Sequence, residues 1–177
     1  SCAYNTEVLG EDDLNVANNH YLGAQIYLKK LHVDEALHYA NKANTIIDKK
    51  PEREPLLFTR YRFLRAKLYK NLEKNKESLA DLDEGIKVAE SYKRLYAEEL
   101  DMKKFRRELI STLTDDEKAQ YNINMEEEKE KEEKDAEKRA FIESEYKKTI
   151  RREELKRQGI DPNQVEQEEA QEEEEEE

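Results

Sequence analysis

Apolar side chains in the first two thirds of the chain recur every three or four residues, which is the spacing of helices that bury one face. The pattern predicts four helices, at about 15–30, 34–48, 55–72 and from Glu77 onwards. Pro51 ends the second helix, and Pro55 fits the first turn of the third. A further apolar series at about 91–113 predicts a helix that packs over the fourth. The chain is therefore predicted to be all-α.

The same segment contains an internal repeat with a period of 42 residues. Small and apolar residues align between the two copies, as the pairs Leu22/Leu64, Ala24/Ala66, Ile26/Leu68, Tyr27/Tyr69, Ala36/Ser78, Leu37/Leu79, Ala43/Gly85 and Ile46/Val88. Two antiparallel helices approach closely only where small side chains lie at their crossing. The repeat therefore predicts two helical hairpins of the same design.

These positions resemble the tetratricopeptide (TPR) repeat, whose usual period is about 34 residues. The stretch from Leu9 to Ala17, followed by Leu22-Gly-Ala24 and Asp34-Glu-Ala36, is similar to the 42-residue subtype of kinesin light chains. Arg65 and Ser78 depart from the family pattern, because they stand at positions that are usually apolar or small. The resemblance implies a short solenoid, in which residues 91–124 either close the repeat or begin another.

The resemblance also implies a concave groove that is lined by the first helix of each copy and that binds an extended peptide or a partner helix. The positions that would line it are Asn18, Tyr21, Gln25 and Lys29 in the first copy and Arg60, Phe63, Lys67 and Lys70 in the second. Basic residues interleaved with two aromatic anchors suit an acidic, partly apolar peptide. The alternative interpretation is that Arg60, Lys67 and Lys70 belong to an ordinary solvated helix face.

Charge is unevenly distributed along the chain, whose formal net charge is −12. Residues 1–124 carry 22 acidic and 21 basic side chains, whereas 160–177 carry ten acidic and no basic ones. The segment 125–159 is rich in helix-forming Glu, Lys and Arg and has no Gly or Pro before Gly159. Thr114-Asp-Asp-Glu117 fits a capping box. We therefore expect a repeat domain at 9–113, a long charged helix at 114–159 and a disordered acidic tail at 160–177.

The second half of the long helix carries a thin apolar stripe, made of Ala136, Ala140, Ile142, Tyr146 and Ile150. One interpretation is a rigid spacer or a coiled-coil arm, a second is a solvated helix that extends from the domain, and a third is a surface that binds a basic or acidic partner.

Several classes of function lack the residues that they need. The longest purely apolar run, Leu56–Phe58, is far shorter than the ~20 residues of a membrane span. Net acidity disfavours nucleic-acid binding, which needs a basic face. The histidines His20, His32 and His38 lack metal-ligand spacing, and no phosphate-binding or nucleophile motif occurs. We therefore predict no catalytic residues, no metal site, no cofactor and no small-molecule substrate.

The sequence thus predicts a non-enzymatic adaptor or scaffold that binds a protein partner, with an acidic one favoured. One alternative is a structural component of a cytoskeletal or axonemal assembly that acts through the long helix. Another is the TPR tail of a larger enzyme such as a prolyl isomerase, since the chain begins with Ser1 and is expected to be part of a longer protein. The single cysteine, Cys2, favours a cytoplasmic location, with cytoskeletal or ciliary association as the alternative.

Overall fold

A computed structural model describes residues 13–49, 52 and 54–165 of the chain. The predicted all-α class is confirmed, because the described residues form helices and turns and no strand. The helices are α1 (Leu14–Lys29), α2 (Val33–Ile47), α3 (Pro55–Asn71), α4 (Asn75–Glu90), a 3₁₀ turn (Lys93–Leu95), α5 (Tyr96–Thr112), α6 (Asp115–Gln120) and α7 (Met125–Arg157). Three features of the sequence analysis lie outside the described residues: Cys2, the Leu9–Asp12 part of the stretch from Leu9 to Ala17, and most of the acidic tail (166–177). The chain divides into two compact units after Tyr121.

The first unit is built from helices that pack in the order in which they follow one another. Helix α1 pairs with α2 and α3 pairs with α4, while α2 packs on α3 and α4 packs on α5. The side chains between α1, α2 and α3 form two apolar clusters, one around Ile47 and Tyr61 and one around Leu64 and Leu68. Each hairpin therefore buries one face within itself and another against its neighbour.

The turn that closes each hairpin is built twice with the same backbone geometry. Leu31 and Glu73, which are 42 residues apart, both adopt the left-handed conformation, with φ of 62° and 58°. In both turns the next backbone N–H donates to a tyrosine carbonyl of the preceding helix, Tyr27 at 3.0 Å and Tyr69 at 2.9 Å. These hydrogen bonds satisfy carbonyls that the helix end would otherwise leave without a partner. The sequence repeat is thus also a repeat of turn geometry.

The small residues that the repeat predicts at helix crossings are all buried: Ala24, Ala36, Ala43, Ala66, Ser78 and Gly85. Ser78 fits there because its hydroxyl donates to the Ala66 carbonyl at 2.8 Å. At Gly85 an added Cβ would meet the end of the Met102 side chain of α5, which would have to shift to make room. Close packing at these crossings therefore depends on the absence of larger side chains.

Arg65, which stands where the resemblance implies an apolar or small residue, takes part in an ion network between helices. Its Nε and Nη2 atoms donate to the two carboxylate oxygens of Asp81 at 2.7 and 2.6 Å. Arg62 donates to Asp81 at 2.9 Å, to Asp48 at 3.0 Å and to Glu84 at 2.8 Å. Burial disfavours the charge of Arg65, but the hydrogen bonds and charge of Asp81 outweigh it and raise the pKa of the guanidinium. The network ties α2, α3 and α4 together.

The segment 114–159, predicted as one long helix, is divided into α6 and α7. Thr114 forms the predicted capping box with Glu117, and α6 begins there. After α6, Asn122 is left-handed, with a φ of 56°, and the Asn124 side chain accepts from the Glu126 backbone N–H at 3.0 Å. Asparagine is favoured in both roles, so the break has a local cause.

Helix α7 belongs to the second unit and ends where the sequence predicts a stop. Gly159 has a φ of 77°, and the backbone N–H of Ile160 donates to the Leu155 carbonyl at 3.0 Å. This pattern is typical of a glycine that terminates a helix. Arg152 then donates to the Asn163 side chain at 2.7 Å. The first residues of the predicted acidic tail, 160–165, are thus folded against the helix end.

Candidate partner-binding face

The eight predicted groove residues fall on one face of α1 and one face of α3. In each helix they are spaced by three or four positions, which places them on a common side. Helices α1 and α3 lie next to each other, so the two faces are neighbours. We call the residues of this set the groove face of α1 (Asn18, Tyr21, Gln25, Lys29) and the groove face of α3 (Arg60, Phe63, Lys67, Lys70).

On α1, Tyr21 is half-buried and serves the protein's own packing. Its ring stacks on that of Tyr61 with 4.6 Å between centroids, and its hydroxyl accepts a hydrogen bond from Gln25 Nε2 at 3.0 Å. Burial raises the pKa of Tyr21, and the charge of Arg60 on α3 partly offsets this effect. Asn18 and Lys29 are exposed. The α1 face therefore offers a polar, partly aromatic surface that borders Arg60.

On α3, the groove face is in contact with the chain's own helix α5. Arg60 forms an ion pair with Glu98 at 3.3 Å. Phe63 meets Phe105 edge to face, with 5.6 Å between ring centroids, and the ammonium of Lys70 lies 4.8 Å from the Phe105 centroid. The predicted site for an acidic, partly apolar peptide is thus partly occupied from within the same chain.

Lys67 shows how far this contact changes the chemistry of the α3 face. Its ammonium lies 3.8 Å from the centroid of the Phe63 ring, which is a favourable cation–π distance. Burial lowers the pKa of Lys67, and the carboxylate of Asp101 on α5 partly offsets that. Lys67 and Lys70 are therefore half-buried parts of an interhelical contact, and the solvated-face interpretation does not describe them.

Phe105 belongs to the apolar series that predicts a helix over the second copy, whereas Glu98 and Asp101 were not identified from the sequence. The three residues stand at positions i, i+3 and i+7 of α5 and so share one face. That spacing of two acids and an aromatic residue is the signal that could have matched α5 to the basic, aromatic face of α3.

A second surface of α1 was not predicted as functional. Leu22 and Ile26 are 45% and 54% exposed, whereas their repeat equivalents on α3, Leu64 and Leu68, are 8% and 0% exposed. The α3 pair is buried in a cluster with Ala36 and Ala40 of α2. Within the described part of the chain, no helix covers the α1 pair in the same way.

Other kinds of site find no support in the described residues. No group of three His, Cys, Asp or Glu side chains among them is arranged to hold a metal ion. None of the described helices is both long and apolar enough to cross a membrane. Comparisons with protein-family models, with curated proteins and with solved structures found no match to this chain.

Proposed function

We propose that the chain is a non-enzymatic helical-repeat adaptor whose helix α1 binds an acidic, amphipathic helix of a protein partner. The observation that carries the proposal is a difference between the two copies. The chain itself covers both sides of α3, with α5 on its groove face and α2 on Leu64 and Leu68. The corresponding positions of α1 remain exposed or half-buried. Helix α1 therefore presents to a partner the kind of surface that α3 presents to α5 and α2.

The two covering helices suggest what such a partner would look like. Helix α5 presents carboxylates and an aromatic ring to basic residues, and α2 presents alanines to leucines. Asn18, Leu22 and Ile26 follow one another at intervals of four residues, so the apolar pair adjoins the groove face of α1. A partner helix with acids toward Lys29 and Arg60 and small residues toward Leu22 would match both surfaces. The acids would favour orientation and association rate, and the apolar contact would supply affinity.

The proposal can be tested with a defined probe. A fluorescein-labelled, stapled helical peptide with the sequence of Val33–Lys49, which carries both acidic residues and alanines, is titrated with the full chain in fluorescence anisotropy. The variants Leu22→Asp and Ile26→Asp place a charge on the exposed apolar pair. The matched control is Leu31→Asp, which changes an exposed leucine of the same hairpin outside this face.

We expect each of the two variants to weaken binding at least tenfold, which is about 1.4 kcal/mol, and the control to bind like the wild type. Charge reversal at Lys29, with Lys87→Glu on the exposed side of α4 as control, should have an effect of similar size at low salt. The proposal is wrong if Leu22→Asp and Leu31→Asp bind alike, or if the wild type does not bind the probe at concentrations on the order of 100 µM.

The alternative of a structural role is favoured by a different feature, the apolar stripe of α7. A cytoplasmic or cytoskeletal location is likewise a proposal.

A further inference from the structure

The second half of α7 exposes a stripe of large apolar side chains on a helix that is otherwise charged. Ile142, Tyr146 and Ile150 are 38%, 66% and 39% exposed, and they follow one another at intervals of four residues. Phe141 is also exposed, but it lies about 140° around the helix from Tyr146 and so is not part of the stripe. No residue of α7 is buried. Because exposed apolar rows of this kind are unfavourable in water, they commonly mark an interaction surface.

The charges at the two ends of the stripe indicate which surface the stripe can bind. Continued in both directions by steps of three or four residues, the stripe reaches Arg139 and Asp135 on one side and Glu153 and Arg157 on the other. The signs therefore run minus, plus, apolar, minus, plus along one face. If a second copy is turned around by a two-fold axis at Tyr146, every charge on the stripe faces its opposite.

We propose that α7 forms an antiparallel dimer with α7 of a second copy of this chain, centred on Tyr146. In this register Ile142 faces Ile150 of the other copy, Arg139 faces Glu153, and Asp135 faces Arg157. The same residues are used by both copies, as a two-fold interface requires.

A parallel arrangement lacks the charge complementarity of this register. A parallel dimer in register would instead place each stripe charge opposite its own copy, which is unfavourable.

The apolar centre is short, so the dimer should form and dissociate with concentration. An interface of this kind lies at the low end of specific interfaces, below about 1,200 Å². We expect a dissociation constant of roughly 1–100 µM, which sedimentation equilibrium of the full chain can measure. This inference does not depend on the proposed binding face of α1.

The decisive experiment exchanges the charges of one predicted pair. Arg139→Glu alone and Glu153→Arg alone each create like-charge contacts at two symmetric places, so each should weaken dimerisation about tenfold. The double variant Arg139→Glu/Glu153→Arg restores opposite charges across the interface and should recover the wild-type constant within about twofold. The two positions are about 21 Å apart along one helix, so recovery cannot arise from contact between them within one copy. Far-UV circular dichroism of each variant checks that α7 remains helical.

Orientation is measured separately with a spin label at Glu137→Cys, in a chain that carries Cys2→Ser. In the antiparallel dimer the two labelled backbone positions lie about 27 Å apart along the axis, whereas in a parallel dimer they would be neighbours. A monomer at every concentration, no recovery in the double variant, or a short distance between labels would each overturn the proposal.

Discussion

Asp81 on α4 is a buried anion that accepts hydrogen bonds from two arginines of α3. Its removal should substantially lower the free energy of unfolding. The Asp81 side chain is almost fully buried and accepts three hydrogen bonds, two from Arg65 and one from Arg62. In the variant Asp81→Ala, Arg65 stays in a mostly buried position without the carboxylate that holds it. Its other contacts are a longer hydrogen bond to Asn41, at 3.3 Å, and the ring of Tyr69.

The size of this loss depends on which partners Arg62 and Arg65 keep in the variant. Removing one member of a buried ion pair costs about 3–5 kcal/mol, because the other charge stays away from water. Arg62 still has Asp48 and Glu84, so the loss should come mainly from Arg65 and lie at the lower end, about 3 kcal/mol. Replacing both members, as in Arg65→Met/Asp81→Leu, removes the unpaired charge. That variant should recover about 2 kcal/mol relative to Asp81→Ala.

Urea unfolding monitored by near-UV circular dichroism measures these differences, because packed tyrosines such as Tyr61 report on the first unit and not on the helical content of α7. The matched control is Asp83→Ala, two residues along α4. Asp83 pairs with Arg106 at 2.6 Å, but its side chain is 57% exposed. The control should lose less than about 1 kcal/mol. If Asp81→Ala is no less stable than Asp83→Ala, the buried network does not contribute as we have argued.

Two further predictions concern a buried hydroxyl and the repeated turn. Burial raises the pKa of Tyr61 from 10.0 to about 12, so the unfolded chain loses this proton first and stability should fall by up to about 1.4 kcal/mol per pH unit across that interval. Tyr61→Phe should remove this part of the alkaline loss of stability. At neutral pH it should change stability little, since the hydroxyl has no hydrogen-bond partner among the described residues. An unchanged dependence of stability on alkaline pH would contradict the assignment to Tyr61. Replacing left-handed Leu31 or Glu73 by Gly should raise the unfolding free energy by up to about 1 kcal/mol, whereas Lys30→Gly, at a φ of −86°, should lower it. Thermal unfolding distinguishes these outcomes, and a loss at both left-handed positions would refute the turn argument.

The sequence alone determined the features that depend on neighbouring residues. Helix positions, the turns at Leu31 and Glu73, the Thr114 capping box and the stop at Gly159 all follow from local hydrogen bonding and backbone preference. The 42-residue period also indicated which small residues become buried, because close helix crossings require them. The interruption after α6 was missed, although Asn122 and Asn124 carried a local signal for it.

Tertiary structure decided which of the exposed-looking charges and rings already have partners. Lys67 and Lys70 are ordinary helix-face residues in the sequence, and only the packing of α5 brings Phe105 and Asp101 to them. In the sequence, Arg65 is a charge at a position that is usually apolar or small. In the structure, Asp81 of α4 lies at hydrogen-bond distance from it. Such pairings join residues that are distant along the chain, so they depend on how helices stack and not on local preference. For the same reason, only the packing distinguished α3, which α2 and α5 cover, from α1, whose Leu22 and Ile26 remain exposed among the described residues.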